Sequence, residues 1–95
     1  MSDQTLHLDI GIANTTVTTM KDNATQIEDL TKQLQAKIND FVGTNWQGNA
    51  AVQFQTEFDT WFNKVTVDTG ELTSLADKLS TEIQNWEAAA AQLGG

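Results

Sequence analysis

The sequence predicts an all-α protein: an antiparallel hairpin of two long helices that pairs with a second hairpin into a four-helix bundle. Apolar residues recur every seven positions through both halves of the chain, which is the spacing of helices packed along a shared seam. Two glycines lie in the short segment between the halves, and the chain contains no proline. We therefore expect a single domain with helix 1 near 6–42, a turn at 43–48 and helix 2 near 49–93.

The first helix is predicted from two series of apolar residues, each with seven-residue spacing. One series contains Ile10, Val17, Ala24 and Ile38, with Thr31 as a polar member, and the other contains Leu6, Ala13, Met20, Ile27, Leu34 and Phe41. Leu30 and Val42 lie beside these series and widen the stripe, which favours more than one neighbouring helix. The β-branched run at 14–19 favours a strand locally. Because the seven-residue spacing passes through this run without a shift, we predict that it is helical.

The segment between the helices has the composition of a tight reversal. Gly43 follows an apolar pair and is expected to end helix 1 with a positive φ. Short polar side chains that are candidates to cap helix 2 follow at Thr44, Asn45 and Asn49. Trp46 is large and apolar, so we expect it to fold back between the helices, and we expect Gly48 to let the backbone pass close by.

The second helix has its own seven-residue series. It contains Ala51, Phe58, Val65, Leu72, Leu79, Trp86 and Leu93, with companion residues Phe54, Trp61, Phe62, Leu75, Ala76, Ile83 and Ala90. The pattern weakens at 66–70, where Asp68 occupies an apolar position and Gly70 costs about 1 kcal/mol relative to alanine. A kink is the alternative there, and we favour a continuous helix.

Charge and composition exclude several classes of function. Thirteen acidic residues against five scattered lysines give a net charge of −8, which argues against nucleic acid and against anionic membranes as partners. There is no cysteine for disulfides or thiolate–metal sites, and a small scaffold without such links usually gains stability by association. The N-terminus lacks the pattern of a cleaved signal peptide, and no apolar run is long enough for stable membrane insertion.

No constellation of residues points to catalysis, and no cofactor or metal is expected. His7 is the only histidine, so a histidine pair for a metal cannot form. Carboxylates that are adjacent or two residues apart, as at 28–29 and at 57 and 59, diverge on a helix. We therefore expect a protein without enzymatic activity.

The sequence Trp46-Gln47-Gly48, placed between two long helices in a chain of 95 residues, resembles the WXG100 family of early-secreted-antigen-type proteins. The resemblance covers essentially the whole chain. It implies a helical hairpin that pairs with itself as a homodimer, or with a paralogous hairpin protein. It also implies export by a type VII secretion system with a membrane-anchored FtsK-like ATPase, so that the protein is cytoplasmic before export and then extracellular. The motif positions are Trp46 and Gly48.

Family members also carry an aromatic-x-x-x-acidic signal just after the second helix, and this chain has no tyrosine. The nearest candidates are Ile83-x-x-x-Glu87, whose leader is aliphatic, and Trp86, which is followed by Ala90 at the acidic position. The candidates for the dimer interface are Val17, Met20, Ile27, Leu34, Phe41, Phe54, Phe58, Trp61, Phe62, Val65, Leu72 and Leu79. Three functions stay open: a secreted substrate, an adaptor that escorts a larger toxin or a paralogue, and a generic coiled-coil module.

Overall fold

The computed structural model describes residues 8–94 and shows one antiparallel helical hairpin. Helix α1 spans Ile10–Asp40, a π-helical turn spans Phe41–Asn45, and helix α2 spans Asn49–Gly94. The hairpin measures 70 × 19 × 17 Å, and the described residues contain no strand. The predicted all-α hairpin is confirmed.

Helix α1 begins at Ile10, later than the start near residue 6 that the seven-residue pattern suggests. The carboxylate of Asp9 accepts a hydrogen bond of 3.0 Å from the Ile12 N–H, and the Asp9 carbonyl accepts one of 2.9 Å from the Ala13 N–H. This N-cap satisfies free donors of the first turn, and its negative charge faces the positive end of the helix dipole. His7 and the first predicted residues of the helix lie outside the described part of the chain.

The β-branched run at 14–19 is helical, as predicted. Within this run only Val17 is buried, and the threonines around it are exposed. Threonine hydroxyls here donate to the carbonyl four residues earlier, at 2.9 Å for Thr15 and 2.8 Å for Thr16. The run is therefore held in the helix by the packing of Val17, against its own β-propensity, and the hydroxyl bonds satisfy the threonine side chains without adding to helix stability.

Helix α2 continues through 66–70 without a break. Asp68 is exposed, and its carboxylate lies 3.0 Å from the Nζ of Lys64. Thr69 is buried instead, and its hydroxyl donates to the Val65 carbonyl at 2.7 Å. The polar residue in the apolar pattern thus faces solvent, and the neighbouring threonine takes the inner position.

The hairpin is packed most tightly at its open end. The cluster there consists of Ala13, Val17, Ala76 and Ile83, with Leu8, Ile10, Met20 and Leu79 packed against it. Half-way along the hairpin the inner residues are small, and a cavity of about 110 Å³ lies between Thr31 on α1 and Phe62, Val65 and Thr69 on α2. The packing between the helices therefore has a gap at this level, although Thr31 and Thr69 are buried there.

Candidate functional site

The turn is built around Trp46, which packs between the end of α1 and the start of α2. Its ring centroid lies 5.8 Å from that of Phe41 and 5.6 Å from that of Phe54, and both ring pairs are tilted. The backbone N–H of Trp46 donates to the backbone carbonyl of Phe41 at 3.0 Å. The side chain is half-buried, so one part of the indole is held by two aromatic rings and the rest stays accessible.

The glycines of the turn have different roles from those expected. Among the described residues Gly48 alone has a positive φ, at 113°, so the expectation of a positive φ at Gly43 is wrong. The chain leaves α1 through a π-helical turn that includes Gly43 and reverses only after it. Nothing lies within 4 Å of a Cβ placed on Gly48. Gly48 is therefore needed for its backbone angle and not, as the sequence suggested, for a close approach.

The first backbone hydrogen bond of α2 is accepted by the residue before the helix. The Val52 N–H donates to the Gly48 carbonyl at 3.1 Å. Within the described residues, the side chains of Thr44, Asn45 and Asn49 donate no hydrogen bond and accept none, so their predicted capping role is not observed.

A second aromatic group follows about two and a half turns into α2. Phe58 is buried, and its ring lies 5.6 Å from that of Trp61 and 6.3 Å from that of Phe62. Trp61 itself is 46% exposed. The aromatic residues near the turn thus fall into an inner part that holds the hairpin together and an outer part that faces solvent.

The structure divides the interface candidates between the inside and the outside of the hairpin. The candidates that are buried or half-buried in the hairpin are Val17, Met20, Phe58, Phe62, Val65, Leu72 and Leu79. The candidates that are exposed are Ile27, Leu34, Phe41, Phe54 and Trp61. Two residues that the candidate set omits, Leu30 and Leu75, are 64% and 56% exposed. Both are apolar residues beside the seven-residue series, and that position is the signal that identifies them.

Seven of the exposed large apolar residues lie on one side of the hairpin, which we call the apolar face. It consists of Ile27, Leu30, Leu34 and Phe41 on α1 and Phe54, Trp61 and Leu75 on α2. Because the Trp46 ring contacts both Phe41 and Phe54, the two stripes join at the turn.

The polar contacts between the helices lie on the other side of the hairpin. The Lys21 Nζ lies 3.0 Å from the Asp77 carboxylate, and the Gln55 amide donates to the Asn39 side chain at 2.9 Å. At 100° per residue, Lys21 and Asn39 are turned well over 100° from Leu34 on the apolar face. The hairpin therefore has one polar side, where its helices are bridged, and one apolar side.

The inner seam of the hairpin is made largely of small residues. Most of its buried residues are alanine or threonine, namely Ala13, Ala24, Thr31, Ala51, Thr69 and Ala76. The chain exposes 7108 Å², whereas a compact monomer of its mass exposes about 5,400 Å². Large apolar side chains thus stay in contact with solvent because the helices approach each other through small ones.

The candidate residues of a C-terminal signal all lie inside α2. Ile83 is 2% exposed and belongs to the open-end cluster, whereas Trp86 is 36% exposed. Glu87 is exposed one position further on. Ile83 is thus a packing residue in the hairpin, and only Trp86 and Glu87 present a surface at this place.

Neither a metal-binding group nor a membrane-spanning helix is found among the described residues. No group of three or more histidine, cysteine or acidic side chains in residues 8–94 has the geometry to hold a metal ion. Neither α1 nor α2, over the same residues, has a stretch apolar enough to cross a membrane. Several large apolar side chains are exposed among the same residues.

Comparison with known protein families agrees with this geometry. Residues 12–89 match the family model described as WXG100, proteins of 100 residues with WXG. No curated protein and no solved structure matches the chain. The matched region includes both helices and the Trp46-Gln47-Gly48 turn, so the chain belongs to the WXG100 family, whose members are small proteins secreted by type VII systems.

Proposed function

We propose that the protein is a non-enzymatic substrate of a bacterial type VII secretion system and that it acts as a helical dimer. The observation that carries this proposal is the apolar face, which is continuous with the Trp46 turn. A hairpin with this surface needs a second helical layer, and the turn supplies a rigid aromatic feature at one end of the resulting bundle.

The extent of exposed surface supports a dimer. The chain exposes about 1,700 Å² more than a compact monomer of 10.4 kDa. Stable interfaces cover at least about 800 Å² per partner, and obligate ones cover more. A second hairpin laid on the apolar face would cover Leu30 and Trp61, which are 64% and 46% exposed. Burial of such side chains is the main favourable term in association.

The turn is the feature that we propose for recognition by the secretion machinery. Trp46 is fixed by two ring contacts and a backbone hydrogen bond, yet it is only half-buried. A side chain that is both rigid and accessible loses little conformational entropy on binding. The family resemblance implies the same position for the motif, with an FtsK-like ATPase as the machinery that moves the substrate.

The test separates packing from recognition at Trp46. Trp46→Phe keeps a ring between Phe41 and Phe54, so we expect folding and dimerisation close to those of the wild type. In the native host we expect the secreted amount to fall sharply while protein accumulates in the cells, measured by fractionation of cells and medium. Trp61→Phe is the comparison variant: it makes the same change on the apolar face away from the turn, so a loss of export that follows from weaker dimerisation alone would appear in it as well.

Equal export of the Trp46→Phe variant and the wild type would refute a recognition role for the indole. If Trp46→Phe also failed to fold or dimerise, the secretion loss would follow from stability, and the recognition proposal would again be wrong. Circular dichroism and light scattering on both purified variants distinguish these outcomes.

An adaptor function is the second candidate, and one observation favours it. No aromatic residue in α2 is followed four positions later by an acid, and Trp86 is followed by Ala90. A partner hairpin, on a paralogue or a toxin, would then supply that signal. The test is to measure secretion from a strain that has this chain as its only WXG100 protein. Secretion from that strain supports the substrate function. Secretion that occurs only together with another hairpin protein supports the adaptor function.

A further inference from the structure

The cavity half-way along the hairpin is a feature that the proposed function leaves unused. Its volume is about 110 Å³, and the residues that line it are Glu28, Thr31, Lys32, Phe62, Val65, Thr66 and Thr69. An engineered apolar cavity of about 150 Å³ in another protein binds benzene. The cavity of this hairpin is somewhat smaller and opens to solvent on one side. It therefore has room for one six-membered ring with a single small substituent.

The mouth of the cavity lies on the side of the hairpin opposite the apolar face. Glu28 and Lys32 are exposed, and each lies two residues from Leu30, which places it about 160° from Leu30 around α1. On α2 the exposed lining residue Thr66 lies nine residues from Leu75 and thus about 180° from it. A second hairpin laid on the apolar face would leave this mouth open. A small molecule can therefore reach the cavity in the monomer and in the proposed dimer alike.

The buried hydroxyl groups of the cavity accept hydrogen bonds but have no hydrogen left to donate. Thr31 and Thr69 are each 7% exposed. The Thr31 hydroxyl donates to the Ile27 carbonyl at 2.6 Å, and the Thr69 hydroxyl donates to the Val65 carbonyl at 2.7 Å. Because a hydroxyl has one hydrogen and two lone pairs, each oxygen keeps its acceptor sites. A ligand that bonds to these oxygens must therefore bring the donor.

The apolar part of the lining favours a ring over water. Phe62 and Val65 form this part, and the Phe62 ring lies 6.3 Å from the ring of Phe58 behind it. A further aromatic ring beside Phe62 gains attraction beyond that of its buried area. The volume corresponds to about three water molecules at about 30 Å³ each, and every such water needs two to four polar partners. The oxygens of Thr31 and Thr69 satisfy one water at most.

The charges around the cavity favour a neutral ligand. The buried residues of the lining, Thr31 and Thr69, are uncharged, and burial of an unpaired charge is costly. The two charged residues at the mouth, Glu28 and Lys32, have opposite signs and lie four residues apart on the same face of α1. Their fields largely cancel at the entrance, so neither an anion nor a cation is attracted.

We propose that this cavity is a binding site for a small uncharged molecule with one aromatic ring and one hydrogen-bond donor, of which phenol is the simplest. The ring lies against Phe62 and Val65, and the donor bonds to the oxygen of Thr31 or Thr69. This inference goes beyond the secretion function and does not depend on the dimer. A bound ring would fill the gap between α1 and α2, so the ligand also stabilises the hairpin at the middle of its length.

The test is a titration of the full-length, ¹⁵N-labelled protein with phenol, followed by two-dimensional NMR. We expect saturable shifts centred on the backbone amides of Thr31, Phe62 and Thr69. A ligand of seven heavy atoms that is well enclosed reaches a Kd on the order of 1 mM. Benzene is the second probe, because it has the same ring and lacks the donor.

The double variant Thr31→Val/Thr69→Val removes both acceptor oxygens and keeps the shape of the side chains. We expect phenol to bind this variant at least tenfold more weakly, whereas benzene binds it no more weakly than the wild type. Thr56→Val/Thr60→Val is the matched control. Both of its threonines are exposed on α2 outside the cavity, and their hydroxyls make the same type of bond, each at 3.1 Å. Phenol binding should be unchanged in the control.

A filled cavity gives a second and independent measurement. Val65→Phe places a ring where the ligand would lie, so we expect it to abolish the binding of both probes. Circular dichroism on each variant establishes that it is folded. If the double valine variant does not fold, the Val65→Phe variant alone decides, since phenol that still binds to it cannot occupy the cavity.

Three results would overturn the proposal. The first is the absence of saturable shifts when phenol is added to the wild type. The second is a set of shifts centred on the apolar face, near Leu30 and Trp61, which would mean that phenol adsorbs to the exposed side chains there. The third is unchanged phenol affinity in Thr31→Val/Thr69→Val, because the hydroxyl oxygens would then play no part in binding. None of these results bears on export, which is measured separately.

Discussion

Ile83 provides the most direct test of how the hairpin is held together. It is 2% exposed and lies in the open-end cluster against Ala13 and Ala76. Ile83→Ala removes three carbon atoms, and truncations of this type cost about 2–5 kcal/mol depending on how far the site collapses. Because its neighbours include two alanines, which have no long side chain to fill the space, we expect about 3–4 kcal/mol. A domain of this length has a total stability of about 5–14 kcal/mol.

The measurement is urea unfolding followed by circular dichroism, with both proteins at the same concentration because dimerisation makes the midpoint concentration-dependent. Ile12→Ala is the matched control, since Ile12 is 66% exposed on the same helical hairpin, and we expect a change below about 0.5 kcal/mol. A loss below about 1 kcal/mol for Ile83→Ala would refute the open-end cluster as the core. A loss of equal size in the two variants would refute the assignment of inner and outer faces.

Three further substitutions test the turn and the middle of α2. Gly70→Ala should raise the free energy of unfolding by about 1 kcal/mol, because Gly70 is exposed inside a helix with nothing within 4 Å of its Cβ position; a destabilised variant in urea unfolding would contradict this. Gly48→Ala should lower the free energy of unfolding by about 1–2 kcal/mol, because φ is 113° there. Gly43→Ala should not lower it, because φ is not positive at Gly43. Asp68→Leu should lower the dimer Kd measured by analytical ultracentrifugation, because it continues the apolar stripe and leaves Lys64 in solvent; an unchanged Kd would place Asp68 outside the interface.

The seven-residue spacing was sufficient to predict the fold, since it runs through 14–19 and 66–70 in spite of poor local propensity. Asp68 and Thr69 show why the spacing outweighed propensity. A rotation of 100° separates neighbouring residues on a helix, so a polar residue at the apolar position faces solvent while the next residue faces inward. In a strand, where side chains alternate between two faces, a charged residue at an apolar position of the pattern would have pointed into the core.

The turn was less predictable from sequence. Gly43 and Gly48 are both glycines near a helix end, and composition gave no reason to choose Gly48 as the residue with positive φ. The choice depends on the π-helical turn at Phe41–Asn45, which is wider than an α-helical turn and delays the reversal of the chain until after Gly43. That turn positions Phe41 against Trp46, a tertiary contact that residue type alone does not indicate.

The division of the apolar residues between the inside and the outside was the least predictable feature, and it matters most for function. The seven-residue series contain small and large apolar residues alike, yet Ala51 and Ala76 are 1% and 0% exposed while Trp61 is 46% exposed. Small residues along the inner seam let α1 and α2 approach closely, so the bulky residues one position away on each helix are left outside. A sequence with alanine and threonine at one heptad position and aromatic residues at the next is thus built for two interfaces. The first joins the two helices of one chain, and the second, in the dimer proposed above, would join the exposed apolar side chains of one hairpin to another hairpin.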